Sequence, residues 1–286
     1  MASKDAPSSP SFAKPPLEEV ALAIQFQPQA IDTLTAAQFS QLIADGFPKQ
    51  EEQPARPPIN EEFFEGSQPP FRFEVIPMPS MPRFWFLSES GTRLVQVQSD
   101  LIAYNWQRSP GGIPTSEPYP RYTTLREEFE ARIGSLEESA KKRSKAPLKP
   151  NWVEVTYINH IHPLPGKDDR PHLSELLRGV AVPAPGGFLP APTDVGLNLR
   201  FVIPGSNGPA GRLTVALNTA VRTTDGAPIW VMTLTARVLD TEEETMPTAL
   251  KTLDIGHDWV VNGFAELTSD EMHTVWERND QPVEKS

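Results

Sequence analysis

The sequence predicts an α+β fold: two similar modules packed together, with antiparallel sheets and helices on one face. Three observations carry this. The chain reads twice as a strand, a short helix, three strands and a long amphipathic helix, from Glu18 to Arg143 and again from Trp152 to Arg278. Short Gly-containing turns separate many of the strands, and such turns pair neighbours antiparallel. The two long helices each carry one apolar stripe, so each is expected to cover a sheet face. The expected organisation is a loose tail over 1–14, a first module over 15–150, a second over 151–278 and a tail over 279–286. Whether the two sheets join into one or pack face to face stays open.

The first module opens with Val20 to Phe26, which alternates as a strand. Thr35 and Gln38 read as a capping box, and Gly46-Phe47-Pro48 as that helix's stop. Lys49 to Pro70 is rich in Pro and Glu and reads as a crossing between elements. Phe71 to Ile76 and Arg83 to Ser88 are the next strands, and Gly91 supplies the turn after them. Leu94 to Gln98 alternates strictly, with Leu101 to Trp106 read as its continuation past a kink at Ser99-Asp100. A Gly/Pro loop leads to a long helix capped by Thr124 and Glu127, with the stripe Leu125, Phe129, Ile133 (or Arg132), Leu136 and Ala140.

The second module opens with Trp152 to His160, followed by a short helix around His172 to Arg178. Strands are expected over 196–203, 212–221 and 228–238, with Thr224-Asp225-Gly226 as a turn. The acidic stretch Asp240 to Glu244 suits a helix N-terminus. The last long helix repeats apolar residues at 3–4 spacing: Met246, Leu250, Leu253, Val260, Phe264 and Leu267, with His257 among them. Thr268 and Glu271 cap a final short helix.

Composition narrows the function classes. The chain has a formal charge of −11, and an acidic chain repels phosphate backbones, which disfavours nucleic acid as a partner. The basic run Lys141, Lys142, Arg143, Lys145 and Lys149 reads as the solvated end of a helix. There is no cysteine, which excludes disulfides and thiolate chemistry. The 32 prolines are about twice the ordinary share and cluster between elements, as stiff connections. No apolar run reaches the ~18 residues of a membrane helix, and the first residues lack an apolar signal core. A cytoplasmic protein, not bound to membranes, is expected.

Certain residues together resemble a known family. They are Lys14 to Val20, Gln96-Val97-Gln98, Tyr104-Asn105-Trp106, Tyr119-Pro120-Arg121-Tyr122 and Tyr157-Ile158-Asn159. Asp254 to His257, Phe264, Leu267-Thr268 and Trp276 complete the set. The chain resembles a sporadically distributed bacterial family of proteins about 250 residues long, of unknown function. The resemblance spans Pro15 to Arg278, with an extra Pro-rich loop around Pro183 to Pro192 as the departure. It implies a bacterial source and carries no catalytic residue across.

The candidate site residues for a ligand or partner are Asn105, Trp106, Tyr119, Arg121, Tyr122 and His257. Arg121 suits a carboxylate or phosphate, or equally an internal acid such as Glu127 or Glu128. His257, on the apolar stripe, reads as a histidine that packs inward with a ring nitrogen bonded; Asp254 is close enough in sequence to hold it. His160 and His162 have ligand spacing, and Asp168, Asp169 or His172 could supply a third ligand, but Pro163 ends their strand and no cysteine or Glu-bearing helix motif accompanies the pair, so no metal is expected. Phosphate loops, nucleophile elbows and dinucleotide fingerprints are absent, and no cofactor is expected. The leading expectation is a non-catalytic binding or interaction protein with a protein partner or as a homo-oligomer. By analogy it belongs in an accessory role in a bacterial defence or toxin-linked cassette. The alternative is a metal-independent enzyme or small-ligand sensor with a site between sheet and helices.

Overall fold

A computed structural model describes residues 10–58, 81–113, 115–143, 145–164, 166–180, 188, 194–206, 208–239 and 245–279. Among these the elements run β1 (Leu17–Phe26), α1 (Thr33–Ile43), β2 (Lys49–Gln53), β3 (Arg83–Leu87), β4 (Arg93–Gln98), β5 (Leu101–Gln107) and α2 (Tyr122–Lys142). Then follow β6 (Pro150–Ile161), α3 (Leu173–Leu176), β7 (Gly196–Gly205), β8 (Gly208–Val221), β9 (Pro228–Leu239), α4 (Met246–Leu267) and α5 (Asp270–Val275). The fold is α+β, with one continuous antiparallel sheet in the order β2-β3-β4-β5-β1-β6-β9-β8-β7. No helix among the described residues is long and apolar enough to cross a membrane.

The seam between the halves is the antiparallel pair β1–β6, which runs from Leu17 opposite Asn159 to Phe26 opposite Pro150. Outward from it, each half places its first strand beside its last. The order is β1, β5, β4, β3, β2 on one side and β6, β9, β8, β7 on the other. Strand alternation then sorts the two faces. Val20, Leu22 and Ile24 of β1 lie level with Trp106, Tyr104 and Ile102 of β5 and form one face. Phe39 of α1 meets Phe86 of β3 (ring centroids 5.7 Å apart), Phe129 of α2 stacks on Tyr104 (6.3 Å), and α4 lies over Val155 of β6, so the helices share that face. Gly256 allows the last contact: a Cβ there would stand 3.2 Å from Val155 Cγ2.

Several local expectations need correction. Ser99-Asp100 is a turn, not a kink; Gln98 pairs with Leu101, so β4 and β5 are two antiparallel strands. The crossing expected from Lys49 contains the edge strand β2, whose charged and amide residues suit an exposed edge. The strand expected over 71–76 and the acidic stretch 240–244 lie outside the described residues. Asp32, not Thr35, caps α1: its carboxylate accepts from Thr35 N at 2.7 Å. It also pairs with Lys145 of the basic run at 2.9 Å, and Lys145 foremost holds this carboxyl well below the usual carboxylate range. Ser269, not Thr268, caps α5. The segment 10–14 is no loose tail in the structure. Phe12 is 6% exposed, packs on Phe264 and Trp276, and bridges Arg278. A lone Phe in a Ser/Pro-rich stretch gives no periodic signal, yet its apolar surface is enough to bind it down.

Candidate functional site

Where the seam meets the start of α2 and the middle of α4 there is a cavity of about 220 Å³. Its apolar wall includes Phe12, Leu17, Leu234, Val260 and Phe264. Its polar residues converge from four elements. Tyr157 stands on the helix-facing side of β6, opposite Val20 of β1 and Leu234 of β9. Tyr119 lies in the loop before α2, its ring 5.2 Å from that of the buried Trp106. Tyr122 begins α2, and His257 comes from α4 with its ring stacked on Tyr122 (3.7 Å between centroids, 18° between planes).

The hydroxyls of Tyr119 and Tyr157 lie 3.0 Å apart. Burial pushes Tyr119 up to about 12 and Tyr157 well above its ordinary value, so both phenols stay protonated at neutral pH. The Tyr122 hydroxyl donates to Asp254 Oδ1 at 2.7 Å, and burial first and this carboxylate second raise its pKa too. Burial lowers the pKa of His257, against the pull of Asp258 and Asp254, so its imidazole is neutral at pH 7. The walls therefore offer hydroxyl donors and a neutral ring inside an apolar shell.

Arg121 stands at the rim. It precedes α2 with φ 74° and ψ 155°, a region that only glycine enters without strain. Its Nη1 donates to the carbonyl of Phe12 at 3.1 Å, and its guanidinium carbon lies 5.9 Å from the Tyr119 ring centroid. No side chain caps α2, and no acidic residue occupies its first turn. The partial positive charge of the helix N-terminus therefore adds to that of Arg121 at the same place.

Of the six candidate residues, the structure brings Tyr119, Arg121, Tyr122 and His257 to this cavity, with Trp106 behind Tyr119. Asn105 is not part of it. Neighbours on a strand point to opposite faces, so Asn105 faces away from the helices, where its amide donates to Glu19 at 2.6 Å. Arg121 does not pair with Glu127 or Glu128; Glu128 accepts from Tyr104 and Arg93 instead. Thr124 and Glu127 lie within α2 and do not cap it. His257 is not bonded to Asp254, which is taken by Tyr122 and Arg126; its Nδ1 lies 3.7 Å from Asp258. The centre of the buried stripe on α4 runs through Leu253, Gly256 and Val260, so His257 flanks it, its side chain 17% exposed.

Sequence reasoning missed Tyr157 and Phe12 as site residues. Alternation carried a usable signal for Tyr157, a phenol among the inward aliphatics Val153 and Val155. His162 sits 3.2 Å from Arg222, a cation that disfavours a metal there. Among the described residues no group of three or more His, Asp or Glu could hold a metal ion. No protein-family model, curated protein or solved structure matches the chain.

Proposed function

We propose that the chain is a non-catalytic small-ligand sensor or carrier, and that the cavity takes a small organic acid. The apolar body of the acid fills the wall around Phe12, Leu234 and Val260, and its carboxylate meets Arg121 and the start of α2. The observation that carries this reading is the strained backbone of Arg121. Such a conformation costs about 1–3 kcal/mol and tends to persist where it aims a side chain for function. The phenols and the neutral imidazole supply directional contacts inside an apolar shell, which supports binding of a small ligand.

Titration calorimetry with benzoate and phenylacetate tests it. Saturable binding is expected, weakened about 10–100-fold in Arg121→Gly, since charge-assisted hydrogen bonds contribute about 1.5–3 kcal/mol. The same variant should melt no lower than wild type, because the relieved strain offsets the lost bond to Phe12. Absence of saturable binding for both acids, or equal affinity in Arg121→Gly, overturns the reading.

A partner-binding role has its own support at the β7 edge, where Phe201 and Val202 are exposed. A protein partner or second copy would meet the sheet there. Internal duplication is supported by the like strand order of the halves, and membership of the sporadic bacterial family by the motif residues alone. The cytoplasmic location and the accessory-cassette role rest on composition and on analogy.

A further inference from the structure

The face of the sheet opposite the helices holds a separate cavity of about 350 Å³. Alternation puts Arg83 and Trp85 of β3, Gln96 and Gln98 of β4 and Asn105 of β5 on this face. Arg83 is 6% exposed, yet its Nε and Nη1 have no hydrogen-bond partner. Its guanidinium carbon lies 5.4 Å from the Trp85 ring centroid, which gives the charge a polarisable neighbour but no counterion. Arg56, which is exposed, lines the same cavity. Its backbone is fixed there by both ends of the Gln98 amide: Arg56 N donates to Oε1 at 3.1 Å, and Nε2 donates to Arg56 O at 3.0 Å. Among the described residues, neither arginine has a carboxylate at ion-pair distance.

The acids of this cavity are otherwise engaged. Glu19 accepts from Asn105, Glu154 accepts from Arg237 at 2.5 Å, and Asp100 accepts from Gln98 at 2.7 Å. Burial raises the Asp100 carboxyl's pKa, which weakens it as a counterion. A donor relay crosses the floor: Trp85 Nε1 to Gln96 Oε1 (3.1 Å), Gln96 Nε2 to Asn105 Oδ1 (2.9 Å), then Asn105 to Glu19. A buried cation without an anion is a costly arrangement unless something supplies the anion. Burial first and the like charge of Arg56 second lower the pKa of Arg83, which agrees with that cost.

We infer that this cavity is a second ligand site for a small polar molecule bearing an oxyanion, a phosphate monoester or a carboxylate, with Arg83 as the buried anchor and Arg56 at its mouth. The site is independent of the organic-acid cavity, on the other side of the sheet. Its ligand carries a polar head for Arg83 and the amides of Gln96 and Asn105, while Ala21, Ala23, Trp85 and Trp152 line the cavity around its remaining body.

The test uses the full chain at constant ionic strength, titrated separately with inorganic phosphate and with acetate. Saturable binding of either is expected; phosphate alone marks a phosphate ester, acetate alone a carboxylate. Arg83→Gln should weaken it tenfold or more while melting at or above the wild-type temperature without anion. Arg56→Gln, at an exposed position, should weaken it several-fold. Arg121→Gly should leave unchanged the component of binding that Arg83→Gln weakens, whatever it does to acetate at the other cavity, which separates the two sites. No saturable binding of either anion, unchanged affinity in Arg83→Gln or Arg56→Gln, or a marked loss of anion-free stability in Arg83→Gln overturns the inference. That last outcome would mean that the fold itself holds the guanidinium.

Discussion

At the scale of single residues, the stack of Tyr122 on His257 links the two halves. Removal of the Tyr122 hydroxyl takes from Asp254 its 2.7 Å donor and leaves only the longer contact with Arg126. Tyr122→Phe should therefore cost about 1.5–3 kcal/mol in urea unfolding, the range of a hydrogen bond to a charged group. His257 gives a pH dependence. Its folded pKa lies below the ordinary value of 6.5, so below that value the unfolded chain binds more protons than the folded one. Stability should fall as pH drops from 6.5 through the folded value, then level off. His257→Phe keeps a ring on Tyr122 and loses the charge. Urea midpoints at pH 7.5 and 5.5 should differ less in this variant than in wild type; an equal difference would rule out the buried imidazole as the source. His162, also lowered, contributes in both proteins and cancels. Tyr119, Arg121 and Tyr122 were legible as a polar–aromatic patch just before a helix, and His257 as a polar residue on an apolar stripe. The misplacement of Asn105 came from treating neighbours on a strand as one patch.

At the scale of elements, periodicity was a sound guide wherever an apolar face had to be buried. The stripe on α2 is buried at all five positions, and the long strands lie close to their expected bounds. Caps were read less well, because several polar residues stand together before each helix and geometry chooses among them. Asp32 wins over Thr35 at α1, and at α2 a strained Arg121 stands where no side chain caps at all. The turn at Ser99-Asp100 was hidden because apolar strand residues continue on both sides of it. Charge hid β2, since an edge strand needs no apolar alternation.

At the scale of the molecule, the seam β1–β6 makes the halves share one sheet. Cut apart, each half would expose a full-length central strand as an unpaired edge beside an uncovered apolar face. We expect one cooperative urea transition, with tryptophan fluorescence and far-UV circular dichroism coincident, and expect fragments 15–150 and 151–278 to stay unfolded when expressed separately. Two resolved transitions would contradict this. Phe12→Ala should cost about 3–5 kcal/mol, as for a buried aromatic, although composition alone marks its neighbourhood as a tail. The order of elements in the sequence was enough for the fold class. It left open whether the sheets join, because hydrophobic pattern specifies which face is buried and not which edge meets which.

The bridge between Phe12 and Arg278 brings distant parts of the chain side by side, with Asn279 N donating to the carbonyl of Ser11 at 3.0 Å. The path of the backbone is thus nearly a ring. Where a ring is cut matters little to a sheet whose order is set by edge pairing. A circular permutant that links Asn279 to Pro10 and opens at the exposed turn Thr224-Asp225-Gly226 should keep the nine strands of the described residues in place. Its amide spectrum should match that of the parent everywhere except at the old junction and the new one.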